Sequence, residues 1–268
     1  MSKPLASQPK ISIILPTFNE AGSIEKMIFS VAEQFDNDHE YEILVVDDSS
    51  TDGTIEIVNS IKPKLSNLKL IVRTSDFGLI NSINEGITQS TGEISLWMDA
   101  DLSMDPALIP VLVDKIESGF DLALGSRYIP GGSMKGGDPD KGKSHLINVL
   151  IHLAQSNDSM LSAIISIVGN KILGLILGSA IKDYSSGFFA ARKTFIEKNP
   201  PYGTFVDYCI SLPYKAVVDG YKVTEVPMVL KARETGKSKT SSSYFSIFSI
   251  SLRCVSYAVQ LRLKHGKI

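Results

Sequence analysis

The chain has 268 residues, 43% of them hydrophobic, enough for one large domain with a substantial core. Lys and Arg number 27 against 29 Asp and Glu, a net charge of -2, which argues against nucleic acid as the partner. Only two cysteines occur, Cys209 and Cys254, without metal-ligand spacing; this is no disulfide-stapled scaffold and suits a reduced, cytosol-facing chain.

Residues 1–10 contain no long apolar run, so a secretory signal is not expected. Short β-branched runs at 11–15, 41–46, 68–72, 93–98 and 121–124 predict strands. Between them, 21–34, 54–61, 79–89 and 106–117 predict helices; in the first, Ile24, Met27, Ile28, Val31 and Phe35 repeat with the 3.6-residue period. This βαβα order predicts an α/β fold, a mostly parallel sheet flanked by helices. Residues 130–143, rich in Gly, Asp and Lys, read as a loop. The stretch 146–181 is apolar but interrupted, with Leu161, Ile164, Ile165, Val168, Ile172, Leu175 and Ile176 on one helical face. Asn170 and Lys171 fall near the middle of 161–181, and a central Lys costs roughly 2.5–3.5 kcal/mol on insertion into a bilayer. That segment is therefore not read as a membrane span. A helix at 206–218, a strand at 223–227 and a polar segment at 231–243 follow. The last helix carries a stripe of Phe248, Leu252, Val255 and Val259, then Arg262, Lys264, His265 and Lys267.

In parallel sheets, ligands bind outside the carboxyl ends of the strands. The chemically loaded residues of this chain fall at those ends: 16–20, 47–52, 99–103 and 125–128. Asp99 and Asp101 follow a buried-strand pattern and can converge on Mg²⁺ or Mn²⁺, which takes one or two carboxylates plus phosphate oxygens and water. A polar strand-end turn is the alternative for the same pair. Asp47 and Asp48 can accept hydrogen bonds from a base and a ribose, while Ser50 to Thr54 suit a structural turn with Asp52 or Thr54 capping the next helix. Gly-x-Gly-x-x-Gly is missing after the first strand, which disfavours a dinucleotide site.

Pro16-Thr17-Phe18-Asn19-Glu20, Asp47-Asp48-Ser49-Ser50-Thr51-Asp52-Gly53-Thr54, Asp99-Ala100-Asp101-Leu102-Ser103 and Gly125-Ser126-Arg127-Tyr128 occur in that order. Together they resemble the GT-A glycosyltransferases of family 2, and more narrowly the polyprenyl (dolichyl) phosphate mannosyltransferase group. Asp183 to Phe189, and Glu225-Val226-Pro227 with Arg233, Gly236, Ser238 and Lys239, extend the resemblance to residue 239. The resemblance implies a GT-A domain over 1–240, with an apolar helical insertion at 136–181 that faces a membrane, and a C-terminal amphipathic helix over 241–268. It places Pro16, Phe18, Glu20, Val46, Asp47 and Asp48 around the nucleotide. Asp99, Asp101 and the Ser103 hydroxyl become the metal shell, with the Ala100 backbone against the diphosphate. Arg127, Arg233 and Lys239 become phosphate-facing cations. Relatives often have Gln where Ser103 stands and Arg where Phe189 stands, with Arg192 the nearest cation to the latter. The stretch 136–160 has no counterpart in the pattern.

The implied reaction is inverting, metal-dependent transfer of a hexose to a polyprenyl phosphate. GDP-mannose is the first donor to consider, and UDP-glucose or a UDP-N-acetylhexosamine the next. The acceptor phosphate, with a second pKa of about 6, is itself a nucleophile at neutral pH, so no general base is required of His145 or His152. The segment holding Arg233 and Lys239 is either a solvated basic loop or one that closes over the phosphates about Gly236. The helices near 146–181 and 245–263 would lie on the cytoplasmic side of a membrane surface, or else pack in the core. The reading leaves room for a small membrane-anchor subunit. A processive polysaccharide synthase is disfavoured because Gln-x-x-Arg-Trp is missing; Trp97 is the sole tryptophan. A non-catalytic nucleotide-sugar-binding adaptor is the rival from another class.

Overall fold

The apolar runs pair as strands because their side chains can alternate between two covered faces. The computed structural model describes residues 10–35, 40–134, 159–231 and 244–266. Its main sheet contains β1 (Ile11–Thr17), β2 (Tyr41–Asp47), β3 (Leu68–Val72), β4 (Ile94–Trp97), β5 (Leu122–Ser126), β7 (Phe189–Arg192) and β8 (Val223–Pro227). The spatial order is β3-β2-β1-β4-β7-β5-β8. Every pairing is parallel except those of β7, which runs antiparallel to β4 and β5. A two-stranded ribbon joins β6 (Ser133–Met134) to β9 (Val229–Leu230). β1 runs two residues beyond the predicted 11–15, since Pro16 and Thr17 pair with Val46 and Asp47. Pro16 lies past the last β4 partner, Ile14, where no ladder bond calls for the N–H a proline lacks.

Strand alternation sorts the core. Ile13, Leu15, Leu96 and Ala123 join one apolar cluster with α1 (Ile24–Ala32), α2 (Thr54–Ile61) and α4 (Ile109–Glu117). Ile14, Trp97, Leu122 and Leu124 join the other, with α3 (Leu79–Gln89), α5 (Ser159–Leu177), α6 (Lys193–Ile196), α7 (Phe205–Val218) and α8 (Tyr244–His265). α3 lies unusually close to the sheet: a Cβ on Gly86 would sit 2.4 Å from Ile14 Cγ2. The predicted helix at 106–117 splits into a 3₁₀ turn, Pro106–Leu108, and α4, with the Asp105 side chain accepting from Ala107 N at the start.

The two late helices turn much of the expected stripes outward. α5 buries Asn170, Leu173 and Leu177, while Val168, Ile172 and Leu175 of the predicted face point outward, Leu175 being 86% exposed. α8 buries Ala258 and Leu261 and leaves Leu252, Val259 and Leu263 exposed. The two helices pack on each other, and each keeps apolar side chains on its outward side as well as its inward one. No helix among the described residues is long and apolar enough to cross a membrane. Of the expected insertion, 136–158 lies outside the described residues.

At the edge of the sheet away from the strand carboxyl ends, Glu42 is 2% exposed and accepts from Ser12 Oγ (2.7 Å), Lys69 Nζ (2.7 Å), Thr91 N (2.6 Å) and Thr91 Oγ1 (2.6 Å). Burial alone would raise its pKa; the Lys69, Thr91 and Ser12 hydrogen bonds outweigh that and lower it from 4.5 to about 2. A folded-state value below the unfolded one gives stability that is complete above pH 4.5 and lost as the pH falls toward 2. Urea unfolding between about pH 6 and about pH 3 should show about 2 kcal/mol of acid-dependent loss at most from this group. Glu42→Gln should shrink that pH difference.

Candidate active site

The loops after β1 and β2 are stitched into one surface. Asn19 N donates to Ser50 Oγ (2.8 Å), Thr51 N to Asn19 Oδ1 (3.0 Å), Glu20 N to Thr54 Oγ1 (2.9 Å) and Ala21 N to Asp52 Oδ2 (2.9 Å). Asn19 and Ser49 both adopt φ +56°, a left-handed conformation held by these bonds and by Ser49 Oγ donating to the Arg73 carbonyl. Burial works against the Asp52 charge, yet the Thr54 hydroxyl and the N–H groups of Ala21 and Thr54 hold its pKa below the usual range. This is the structural part of the motif.

Asp47 is fully buried, and both its oxygens are engaged locally: by Thr17 Oγ1 (2.8 Å), Ser50 Oγ (2.6 Å) and Ser50 N (2.7 Å). Asp48 accepts from Arg73 Nη1 (2.6 Å) and Ser82 Oγ (2.8 Å) at one oxygen and from Gly78 N (2.6 Å) at the other. Arg73 also donates to the carbonyls of Ser75 and Asp76 and so fixes the whole 73–78 turn. Sequence reading passed over Arg73, although it follows a predicted strand directly, as the motif acids do. Phe18 is 47% exposed at this rim, Pro16 and Glu20 are half-buried, and the Val46 side chain lies in the core, leaving only its backbone for a ligand.

β4 ends at Trp97, so Asp99 and Asp101 lie in the turn beyond it rather than on an extended strand. Leu102 has φ +63°, and Asp101 Oδ1 accepts from Ser103 N at 3.0 Å, which curls the turn back on itself. Asp101, Ala100 and Ser103 are buried; Asp99 is partly exposed. Asp99 faces α7, where burial first, then neighbouring charges including Asp99, push up the Tyr208 phenol and the Cys209 thiol. Among the described residues, no group of three or more His, Cys, Asp or Glu could hold a metal unaided. Two carboxylates and a hydroxyl in one turn are an open donor set, which fits a hard divalent cation that fills its shell with diphosphate and water. The chain after β9 is tied to this turn: Lys231 N donates to the Ser103 carbonyl (2.8 Å) and Lys231 Nζ to Asp105 Oδ2 (2.6 Å).

Arg127 stands at the end of β5, separated from the Asp99–Ser103 turn by β7. It is 8% exposed and forms a bidentate pair with Asp183, Nε to Oδ2 and Nη2 to Oδ1, each at 2.8 Å. Its backbone N also donates to Asp183 Oδ2 (3.0 Å), and Nη2 to Ser185 Oγ (2.6 Å). Burial opposes both charges; for Asp183 the field and hydrogen bonds of Arg127 outweigh it and lower the pKa. The expected phosphate-facing cation is thus half of a buried ion pair, leaving Nη1 as the guanidinium nitrogen that Asp183 does not engage. Phe189, in the place where relatives carry Arg, is buried and stacked on Trp97, with ring centroids 5.3 Å apart. Arg192 cannot replace it: β7 is antiparallel, so Arg192 pairs with Ile94 at the far end of β4 and donates to the Ile116 carbonyl. Arg233 and Lys239 lie outside the described residues. The structure therefore gathers 16–20, 47–48, 99–103 and Arg127 along one sheet edge, in the strand order β2-β1-β4-β7-β5.

The sequence profile described as Glycosyl transferase family 2 matches residues 12–199. A dolichol-phosphate mannosyltransferase of Pyrococcus furiosus is 34% identical over 234 residues, 86% of this chain; the chain spans 59% of that relative's length. A polyprenol monophosphomannose synthase of Mycolicibacterium smegmatis is 30% identical over 241 residues, covering 86% of this chain and 81% of the relative. Among solved structures, glucosyl-3-phosphoglycerate synthase from Mycobacterium tuberculosis, in complex with Mn²⁺, uridine diphosphate and phosphoglyceric acid, superposes with a TM-score of 0.64 at 17% identity. That match covers 95% of this chain and 78% of the other, and bears on the fold alone.

The side chains of Arg73 and Asp48 are each 9% exposed, so removing one leaves the other a buried charge. Arg73→Leu should lower unfolding stability by about 3 kcal/mol in urea titration, the loss expected when a buried pair is broken. Arg73→Lys should recover part of it.

Proposed function

This chain belongs to glycosyl transferase family 2, and we propose that it transfers a hexose, mannose first, from a nucleotide sugar to a polyprenyl phosphate. The observation that carries this reading is the acidic Asp99–Ser103 turn at the same sheet edge as Asp48 and Arg127. The names borne by the Pyrococcus and Mycolicibacterium relatives support the lipid-phosphate acceptor and the mannosyl group.

In this reading the rim of Pro16, Phe18, Glu20 and Asp48, shaped from beneath by Asp47 and completed by the Val46 backbone, receives the nucleoside. GDP is the proposed nucleotide. Asp99, Asp101 and Ser103 hold Mg²⁺ or Mn²⁺ against the diphosphate, with the Ala100 backbone alongside. The bound ion supplies Lewis-acid stabilisation of the charge that develops on the departing diphosphate. Arg127, Arg233 and Lys239 add preorganised donors to phosphate oxygens, which count for more in a water-poor site. The acceptor phosphate attacks the anomeric carbon from the opposite face, with inversion, and needs no proton removed at neutral pH.

A lipid acceptor gives a reason for the outward faces of α5 and α8. Val168, Ile172, Leu175, Leu252, Val259 and Leu263 are exposed there, with Lys171 and Lys264 exposed on the same two helices. An apolar face edged by lysines suits peripheral docking on an anionic membrane surface, on the cytoplasmic side where nucleotide sugars are held.

Purified protein incubated with labelled GDP-mannose and dolichyl or undecaprenyl phosphate should form an organic-phase lipid product. EDTA should abolish it and Mn²⁺ or Mg²⁺ restore it. Asp101→Asn should reduce turnover by about 100-fold or more, the scale of losing a charge-stabilising group. No lipid product with GDP-mannose, UDP-glucose or a UDP-N-acetylhexosamine would reject the reading.

A further inference from the structure

A carboxamide in the middle of an apolar helix must have its hydrogen bonds met, or its burial costs about 1–3 kcal/mol. Asn170, on α5, is 7% exposed and meets both ends. Its Oδ1 accepts from Tyr184 N (2.8 Å), and its Nδ2 donates to the Lys182 carbonyl. Asp183 lies between those two contacts. On its other side Glu225 accepts from Lys182 N (2.8 Å) and Asp183 N (2.9 Å). The backbone of 182–184 is thus gripped by α5 and β8 together, and the side chain it presents is the carboxylate that holds Arg127.

A second strut runs from the same helix. The Arg127 guanidinium lies 5.2 Å from the centroid of the Tyr128 ring, and Tyr128 Oη is 3.0 Å from Ser166 Oγ, one turn before Asn170. α5 therefore bears on Arg127 from both sides, through Asn170 to Asp183 and through Ser166 to Tyr128. We propose that Asn170 is a positioning residue that sets the direction of the Arg127 guanidinium by fixing the 182–184 backbone on which Asp183 is mounted. This deepens the functional reading and rests on it only for the turnover measurement. It also makes the helix with the exposed apolar face the scaffold of a phosphate-end cation.

Asn170→Leu keeps the branched shape, though with more bulk, and removes both bonds. If Asn170 acts through Asp183, the ¹⁵N-resolved exchange of Arg127 Nε–H should accelerate about tenfold, because the bidentate pair loosens. Turnover should fall about tenfold, as for a charged group displaced by a fraction of an ångström. In an Arg127→Lys background, which keeps the charge but not the bidentate geometry, Asn170→Leu should add less than about twofold. Unchanged Nε–H exchange, or fully additive losses in the double-mutant cycle, would overturn the proposal. Should Asn170→Leu fail to fold, Asn170→Ser is read by the same two measurements. A wild-type protein without transferase activity would count against the functional reading, while the exchange measurement would still decide the role of Asn170.

Discussion

A guanidinium buried to the extent of Arg127 is tolerated only when its charge is matched and its donors are met. Asp183 supplies the charge, and that requirement draws four separate parts of the chain to one point. β5 brings Arg127, the turn after α5 brings Asp183, β8 brings Glu225, and α5 itself brings Asn170. Glu225, whose pKa burial raises first, is in turn held by the N–H groups of Lys182 and Asp183. Lose the ion pair and neither the 182–185 turn nor the entry into β7 has a fixed position. The antiparallel direction of β7 follows from this. The chain leaves β5 at the sheet's carboxyl edge, passes through α5, is anchored at Asp183 on that same edge, and can re-enter the sheet only by running back down.

The acids at the strand ends divide by the work their oxygens do. Asp47 and Asp52 bind their own loops, and their effect on any ligand is through the shape of the rim. Asp48 is coupled to Arg73 and Gly78, so the 73–78 turn and the Asp48 carboxylate form one unit. The Asp99–Ser103 turn differs. Ser103 N donates to Asp101 and curls the chain at a left-handed Leu102, which gathers two carboxylates and a hydroxyl in one short turn at the sheet edge. Preorganisation of this kind has a cost in backbone strain, about 1–3 kcal/mol for each sparsely populated conformation, which the buried strands beneath must offset.

Sequence periodicity located the fold well where burial is two-sided. The runs at 11–15 and 41–46 are strands buried on both sides, 68–72 is a half-exposed edge strand, and polar chemistry collects at their carboxyl ends. β7 escaped notice because four residues after a Gly-containing turn carry no period, and its direction depends on the Arg127–Asp183 pair, a contact 56 residues apart. The helical stripe at 161–176 was legible as a stripe but not as to its side. Apolar periodicity says that a face is apolar; only the carboxamide of Asn170, with two backbone groups waiting for it, says which side is inward. In the same way, the identity of Asp48 was readable from its motif, while its partner Arg73 depended on a turn conformation that no local pattern encodes.

The placement of Phe189 shows how a change in one residue type redistributes the charge of such a site. A cation at that position would lie opposite Trp97, two residues from Asp99, and would need both water and an anion. Phe189 instead stacks on Trp97 and approaches Tyr208, with centroids 6.0 Å apart, as a buried apolar layer within the core. Beneath such a layer the field of each remaining charge is less screened. Among the described residues, positive charge at this edge then comes from Arg127 and from Lys231, whose N and Nζ donate to the Ser103 carbonyl and to Asp105. The acidic turn and Arg127 thus stand on different strands of one sheet edge, β4 and β5, with the antiparallel β7 and its apolar Phe189 between them.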